Sequence, residues 1–402
     1  KRVMIRQLPA TAADYRELAR RRLPRFLFDY YTGGAGRERT LAANAAGWAN
    51  VMLRQRVLVD VDGIDTTAIL AGEDCSLPLV LAPIGLGGMA ARRGEVQALR
   101  AANAAGVPFT LSTVGLCGLD EVAAAAGTPF WFQLYMIRDR GIVETVIDEA
   151  WASGCRTLMF TVDLPMPGPR HRDTRNGMAV PGLHSKLLKA SQVLARPGWV
   201  WNVAVKGGPM SLGSMNRHVP AASDPDSFRR WIDTQFDPTV TWADIEWLRR
   251  KWQGRLLLKG ILDERDARAA VTSGADGIVV SNHGGRQLDG VASTASKLPA
   301  IVRAVGEHTE VLVDGGIRGG IDVFRALALG ANGVLIGRPW VWALAAAGQG
   351  GVERLLAGFS EELRLAMALT GVTRIGDIGP DCLDLVPGQA NQQRSAGDVA
   401  SS

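Results

Sequence analysis

The sequence predicts one closed barrel of eight parallel strands wrapped by helices, a (β/α)8 architecture in the α/β class. Three observations predict it. Eight short, nearly continuous apolar runs recur along the chain, helical patterns separate them, and the first run leads into PIGLGG rather than the GxGxxG turn of an open nucleotide-binding sheet. The strand count favours closure over an open, doubly wound sheet.

Residues 1–76 read as an N-terminal extension, with helical pattern and a Gly-rich YTGGAG turn, packed over one end of the barrel. The eight runs follow as LPLVLAP (77–83), PFTLSTV (108–114), FWFQLY (130–135), TLMFTVD (157–163), LLLKGI (256–261), GIVVSNH (277–283), EVLVDG (310–315) and GVLIGR (333–338). Helical stretches at 95–105, 141–153, 263–273 and 321–329 lie between them. Gly106, Gly154, Gly274 and Gly330 stand where helix C-caps belong. Residues 164–240 form a long insertion between the fourth strand and its helix, which starts at TWADIEWLRRKW, and a loop of that length inside a compact domain is usually functional. The chain thus reads as a single domain over 1–386 with a flexible tail at 387–402.

Composition agrees with a large buried core: 402 residues, 47% hydrophobic and 21% charged. Lys and Arg number 45 against 40 Asp and Glu, a net charge of +5 too small to predict nucleic-acid binding unless the charge is localised. The four cysteines form no CxxC pair, so neither a disulfide framework nor a metal site is expected. The start of the sequence lacks a signal-peptide apolar region, and no apolar run reaches 18 residues. These features exclude collagen-like, small disulfide-rich and integral membrane classes.

Active sites of such barrels gather at the C-terminal ends of the strands, so the strand tips can be read by position. Strand one ends in Pro83, Ile84 and Gly85, strand two at Ser112, strand three in Gln133 and Tyr135, and strand four in Thr161 and Asp163. Strand five ends at Lys259 and strand six in Ser281-Asn282-His283-Gly284-Gly285-Arg286. Strand seven ends in Asp314-Gly315-Gly316-Ile317-Arg318 and strand eight in Gly337-Arg338. Polar or Gly residues at all eight converging tips describe a site rather than a core. His283 is the candidate general base, with Asp163 as the carboxylate that orients it. The Gly-rich turns DGGIRGG and GRP occupy the loops where these barrels hold phosphate, with Arg318 or Arg338 supplying charge. Lys259, ending an apolar strand, needs an anionic or electron-rich partner. Arg170 and Arg286 suit a bidentate clamp on a substrate carboxylate. Two of only four tyrosines, Tyr30 and Tyr135, fall in candidate site segments.

The motifs SNHGGRQLD (281–289), WFQLY (131–135), TVDLPMPGPR (161–170), LLLKG and DGGIRGG resemble those of the FMN-dependent α-hydroxy acid dehydrogenases and oxidases. The resemblance runs from LPRFLFDYYTGGA near the start to the last barrel helix. Stretches such as ARRGEVQALRAANAAGVPFTLSTV are most similar to the membrane-associated L-lactate dehydrogenases, with the (S)-mandelate dehydrogenases a near branch. The resemblance implies FMN as cofactor and oxidation of an (S)-2-hydroxy acid to its 2-oxo acid. It implies His283 and Asp163 as base and partner, Arg286 and Arg170 on the substrate carboxylate, and Tyr30 and Tyr135 bonding carboxylate and hydroxyl. Lys259 would lie at the flavin N1/O2 edge, with Pro83, Ile84, Gly85, Ser112, Gln133, Thr161 and Ser281 about the ring. Asp314, Gly315, Gly316, Arg318, Gly337 and Arg338 would hold the ribityl chain and phosphate. A homotetramer is also implied. Gly85 leans toward a dehydrogenase, since oxidases of this family often carry Ala there; an oxidase releasing hydrogen peroxide is the alternative.

The insertion adds a partner. From Thr174 to Ser223 it has no Asp or Glu, while Arg175, Lys186, Lys189, Arg196, Lys206 and Arg217 accompany Trp199, Trp201, Leu187, Leu188, Val193, Leu194 and Val200. Basic residues mixed with Trp and Leu describe a segment lying on an anionic bilayer. The expectation is a peripheral protein on the cytoplasmic side of the inner membrane, passing electrons to a quinone.

Overall fold

The computed structural model describes residues 8–178, 180–208, 213–215 and 234–384. Eight parallel strands form the barrel: β1 (Leu79–Leu81), β2 (Thr110–Ser112), β3 (Trp131–Leu134), β4 (Thr157–Thr161), β5 (Arg255–Ile261), β6 (Gly277–Val280), β7 (Glu310–Val313) and β8 (Gly333–Ile336). Each pairs in parallel with its sequence neighbour, and β8 returns to β1. The β1–β2 seam narrows to a single bridge, Leu81 to Phe109, with Leu81 N–H donating to Pro108 O at 2.9 Å. The strands are shorter than the apolar runs, because the polar ends of those runs already belong to the loops.

Strand alternation builds the interior in layers. Leu81, Leu111, Phe132, Phe160, Leu258, Val280, Val313 and Ile336 face outward onto the helices. Val80, Trp131, Met159, Leu257, Val279, Leu312 and Leu335 point inward as a dry plug, all at most 1% exposed. Two residues further along the same strands the inward face becomes Ala82, Gln133, Thr161, Lys259, Ser281, Asp314 and Gly337. The period-two pleat thus sets a polar row directly on the apolar plug, at the C-terminal end.

The helices Gly94–Ala105, Arg140–Ala152, Glu264–Thr272 and Gly320–Ala328 match the helical stretches read from sequence. Gly106, Gly154, Gly274 and Gly330 after them are all left-handed, where a Cβ would be strained. The N-terminal extension corrects one expectation, since it engages both ends of the barrel. A hairpin of Ala68–Leu70 and Glu73–Cys75 closes the bottom, where Leu70, Ala71 and Cys75 join the plug. At the opposite end the YTGGAG turn docks on the loop after β6 through Ala35 N–H to Gly285 O, 2.8 Å.

The insertion leaves β4 and returns at the helix Trp242–Lys251, as the sequence indicates. Its described part holds helices His171–Arg175 and Leu183–Leu194 and a π-helical turn, Val200–Val205. Leu187, Leu194 and Trp201 are exposed at 61%, 79% and 58%. Trp199, read as part of the same apolar face, turns inward instead, its indole N–H donating to Met89 O at 2.8 Å. Arg217 and the tail at 387–402 lie outside the described residues. Among the described residues no helix is long and apolar enough to cross a membrane.

Candidate active site

Above the polar row opens a cavity of about 1370 Å³, its mouth included, lined by the tips of strands from both halves of the barrel. Of the residues singled out from sequence, Tyr30, Pro83, Ile84, Gly85, Tyr135, Thr161, Arg170, Lys259, His283, Arg286, Asp314, Gly315, Gly316, Arg318, Gly337 and Arg338 all line it. Ser112, Gln133 and Ser281 do not reach the wall. They form a buried support beneath it: Ser112 Oγ donates to Gln133 Oε1 (3.0 Å), and Gln133 Nε2 to Thr161 Oγ1 (3.1 Å). Lys259 Nζ donates to Ser281 Oγ (3.0 Å).

His283 sits on a turn of three successive left-handed residues, with φ of +57° at His283, +62° at Gly284 and +74° at Gly285. That conformation is costly for a non-glycine residue and persists only when its surroundings fix it. Here Ser281 Oγ accepts from His283 N–H (3.0 Å) and Asn282 Oδ1 from Gly285 N–H (3.1 Å). Asn282 is itself locked to Asn44 by two reciprocal amide bonds of 2.7 and 2.8 Å. A side chain at Gly285 would strike the Leu41 backbone, its Cβ falling 2.6 Å from Leu41 N.

The ring so held places Nδ1 2.9 Å from Asp163 Oδ1. Burial pushes the Asp163 carboxyl up, but the charge and hydrogen bond of His283, then the charge of Lys259, bring it below the ordinary carboxylate value. Asp163 approaches because β5 bulges at Gly260 (φ +115°), where an added Cβ would fall 2.7 Å from Asp163 Cβ. Gln287 steadies the same loop by donating to Asp163 O at 2.9 Å and Met166 O at 3.0 Å. Lys259 Nζ meets Asp314 Oδ2 at 2.7 Å. Burial works against its charge, yet Asp314 and Asp163 outweigh it and raise the ammonium above its usual value. Burial also pushes the Tyr135 phenol up, and the Asp163 charge adds to it, so Tyr135 is a protonated donor.

Four arginines complete the wall. Arg286 and Arg170 lie over the Tyr30 ring, at 4.9 and 5.7 Å from its centroid. Arg286 donates to Tyr30 O at 2.5 Å and Gly33 O at 3.1 Å. Arg338 donates to Gly284 O and Gly33 O, both at 2.9 Å, and Arg318 stacks on Trp342. The wall carries five cations, Arg170, Lys259, Arg286, Arg318 and Arg338, against one carboxylate, Asp314. Burial first, then Arg170, lowers Arg286 to about 10; burial also lowers Arg318 to about 10. Arg338 is driven well below its ordinary value by burial and by Arg286 and Arg318. Such an excess of buried positive charge calls for anions.

FMN fits on these observations. Among the described residues Arg338 Nε and Asp314 Oδ1 are buried without a hydrogen-bond partner, a cation for a phosphate and an acceptor for a hydroxyl. Gly315 and Gly316, at φ of +86° and +93°, expose backbone where a Cβ would collide with Asn44, and Arg338 opens the first of two helices that span Arg338–Thr370 with a break at Ala347 and Gly348. Arg170 Nε is likewise buried without a hydrogen-bond partner among the described residues, its ion pair with Asp173 Oδ2 spanning 3.8 Å, which leaves its donor open to a second anion near Tyr30. Sequence reading missed Tyr31, Leu164, Pro167 and Phe236 on the wall. Phe236 meets Tyr135 edge-on at 5.4 Å, yet it lies about 100 positions along the chain with no local pattern to mark it. Gln287 was legible inside SNHGGRQLD but given no role.

The FMN-dependent dehydrogenase family profile matches residues 19–385. An L-lactate dehydrogenase of Caulobacter vibrioides is 53% identical over 374 residues, covering 93% of this chain and 97% of that protein. Among solved structures, the monotopic membrane protein (S)-mandelate dehydrogenase superposes with a TM-score of 0.87 at 33% identity, over 94% of this chain and all (100%) of that one. A mandelate oxidase crystallised with (S)-4-hydroxymandelic acid gives 0.81 at 39% identity, covering 94% and 98%.

Proposed function

This chain belongs to the FMN-dependent dehydrogenase family, and from that premise we propose that it oxidises an (S)-2-hydroxy acid of the lactate or mandelate type and passes the electrons to a membrane quinone. The observation that carries the reading is His283, backed by Asp163 behind the wall, opening onto the same cavity as the Arg170–Tyr30–Arg286 stack. Arg170 and Arg286 take the substrate carboxylate, and Tyr30 and Tyr135 donate to it and to the hydroxyl. A carboxylate held at one end presents one face of the α-carbon, which selects one enantiomer. His283 uses Nδ1 on Asp163, leaving Nε2 to accept the proton that the hydroxy acid gives up. The ionised Asp163 then stabilises the imidazolium. FMN, when bound, supplies the two-electron acceptor that no side chain can provide. Arg318, Arg338, Asp314 and the backbone at Gly315, Gly316 and Gly337 would hold its phosphate and ribityl chain. Lys259 would stabilise negative charge at the ring, with Pro83, Ile84, Gly85 and Thr161 against it.

Peripheral attachment is part of the proposal. Exposed Leu187, Leu194 and Trp201, with Lys186 and Lys206 beside them, make the docking face. The solved neighbour's monotopic character supports it. Attachment to the cytoplasmic side of the inner membrane and a homotetramer belong to the same reading.

The test is anaerobic titration of the yellow protein with (S)-lactate and (S)-mandelate. Bleaching by either acid, reversed by a quinone and only slowly by air, is the expected result. Rapid recolouring in air would instead establish the oxidase, and no bleaching by either acid would refute the substrate class.

A further inference from the structure

Glu95 is 1% exposed and plays no part in the chemistry above. It stands in the first turn of the helix Gly94–Ala105, where the helix dipole favours a carboxylate. Its Oε1 accepts from Leu116 N–H at 2.8 Å, while Oε2 is buried without a hydrogen-bond partner among the described residues. Three glycines close around it. A Cβ on Gly87 would fall 3.2 Å from Oε1, one on Gly88 2.8 Å from Oε2, and one on Gly115 3.4 Å from Oε1.

Gly87 and Gly88 belong to the turn after β1, and Gly115 to the turn after β2. Those two turns supply Pro83, Ile84, Gly85, Leu86 and Val114 to the cavity wall. The turns are also tied to each other, Leu86 N–H donating to Val114 O at 2.9 Å. On their other side sits the insertion, through Trp199 to Met89 O (2.8 Å) and Gly213 N–H to Leu116 O (3.0 Å). One carboxylate therefore bonds the turn after β2 and packs against the turn after β1, at the place where the insertion rests on the cavity wall.

We propose that Glu95 is a positioning residue for the flavin bed, fixing the turns after β1 and β2 in the arrangement that receives the isoalloxazine ring. The proposal rests on the FMN reading above. An acceptor lost from this buried place leaves Leu116 N–H unsatisfied and the three glycines without their filler.

The experiment compares Glu95→Gln with Glu95→Leu in the full chain, reading the FMN dissociation constant, the visible flavin spectrum and the apoprotein melting temperature. Glu95→Gln keeps the acceptor and the volume, and is expected to hold FMN within about threefold of wild type with the same spectrum. Glu95→Leu is expected to weaken FMN by about tenfold or more and to alter the flavin band. In Glu95→Gln the hydroxy-acid KM should change by less than about threefold, because Arg170 and Arg286 come from other loops. Gly88→Ala, which presses on Oε2 from the loop side, gives a second perturbation should Glu95→Leu fail to fold, and is expected to weaken FMN in the same way. Wild-type FMN affinity and spectrum in Glu95→Leu, or in Gly88→Ala where it stands in, would overturn the proposal. So would equal losses of FMN in Glu95→Gln and Glu95→Leu. A wild-type protein that binds no FMN would refute the cofactor reading itself.

Discussion

Asp163→Asn removes one charge and almost nothing else. Oδ1 stays 2.9 Å from His283 Nδ1 and can still accept its proton, while the new amide nitrogen replaces Oδ2, which has no hydrogen-bond partner to lose. Gln287 grips the Asp163 backbone rather than its side chain, so the loop keeps its place. What is lost is the attraction between carboxylate and imidazolium once the base has taken its proton. Opposite charges about 4 Å apart at an effective dielectric of about 20 attract by about 4 kcal/mol. The retained hydrogen bond offsets about 1 kcal/mol of that, leaving about 3 kcal/mol, or about a hundredfold in the reduction rate. Because Asp163 is held below its ordinary carboxylate value, wild type keeps this charge at every pH above about 5. The assay is anaerobic stopped-flow bleaching at saturating (S)-hydroxy acid, with FMN content and melting temperature as controls. A variant that holds FMN normally and reduces it within about threefold of wild type would refute the charge-stabilised base.

Gly85→Ala places a Cβ 2.9 Å from the Tyr30 hydroxyl and 2.8 Å from Val114 Cγ2, so both must retreat by about half an ångström. Substrate KM should rise by about tenfold while FMN stays bound; an unchanged KM in steady-state assays would remove Tyr30 from the carboxylate site. Buried Arg318 and Arg338 should make the apoprotein less stable than the FMN form, with inorganic phosphate partly substituting. Thermal melts of apoprotein that ignore both FMN and phosphate would contradict that assignment. Leu187→Glu with Leu194→Glu and Trp201→Glu should reduce binding to anionic vesicles by at least about tenfold, leaving flavin reduction by hydroxy acid intact. Undiminished co-sedimentation would move the docking face elsewhere.

What the sequence made legible, and what it did not, follows from the range of the forces involved. Buried parallel strands must be apolar on both faces, so the eight runs announce themselves, and Gly106, Gly154, Gly274 and Gly330 mark helix ends through backbone geometry alone. The site was legible for the same reason: a polar residue closing an apolar strand needs a function or a partner. Long-range packing leaves no such local trace. Nothing near Phe236 signals that it will meet Tyr135, and nothing in GWVW separates the buried Trp199 from the exposed Trp201. Nor does strand alternation distinguish the wall from its support. Gln133 and Thr161 share one face of the barrel, yet only Thr161 reaches the cavity, while Gln133 is held beneath by Ser112 and Thr161.

That support explains why a polar layer inside the barrel is tolerable. A row of polar side chains over Trp131, Met159 and Leu257 would be costly if left unpaired. Ser112, Gln133 and Thr161 satisfy one another in a chain, and Ser281, Lys259 and Asp314 in a second. Among the described residues, the donors and acceptors left without a hydrogen-bond partner around the cavity include Arg170 Nε, Arg338 Nε and Asp314 Oδ1. A barrel that pairs most of its polar row internally and leaves open valences at Asp314, Arg170 and Arg338 divides its polar groups by task. On the proposed reading, the row keeps the fold and the open valences receive phosphate, hydroxyl and carboxylate. Exchanging the row for apolar residues would extend the plug and bring the cavity floor up by one pleat, so the fold could survive the change while the site could not.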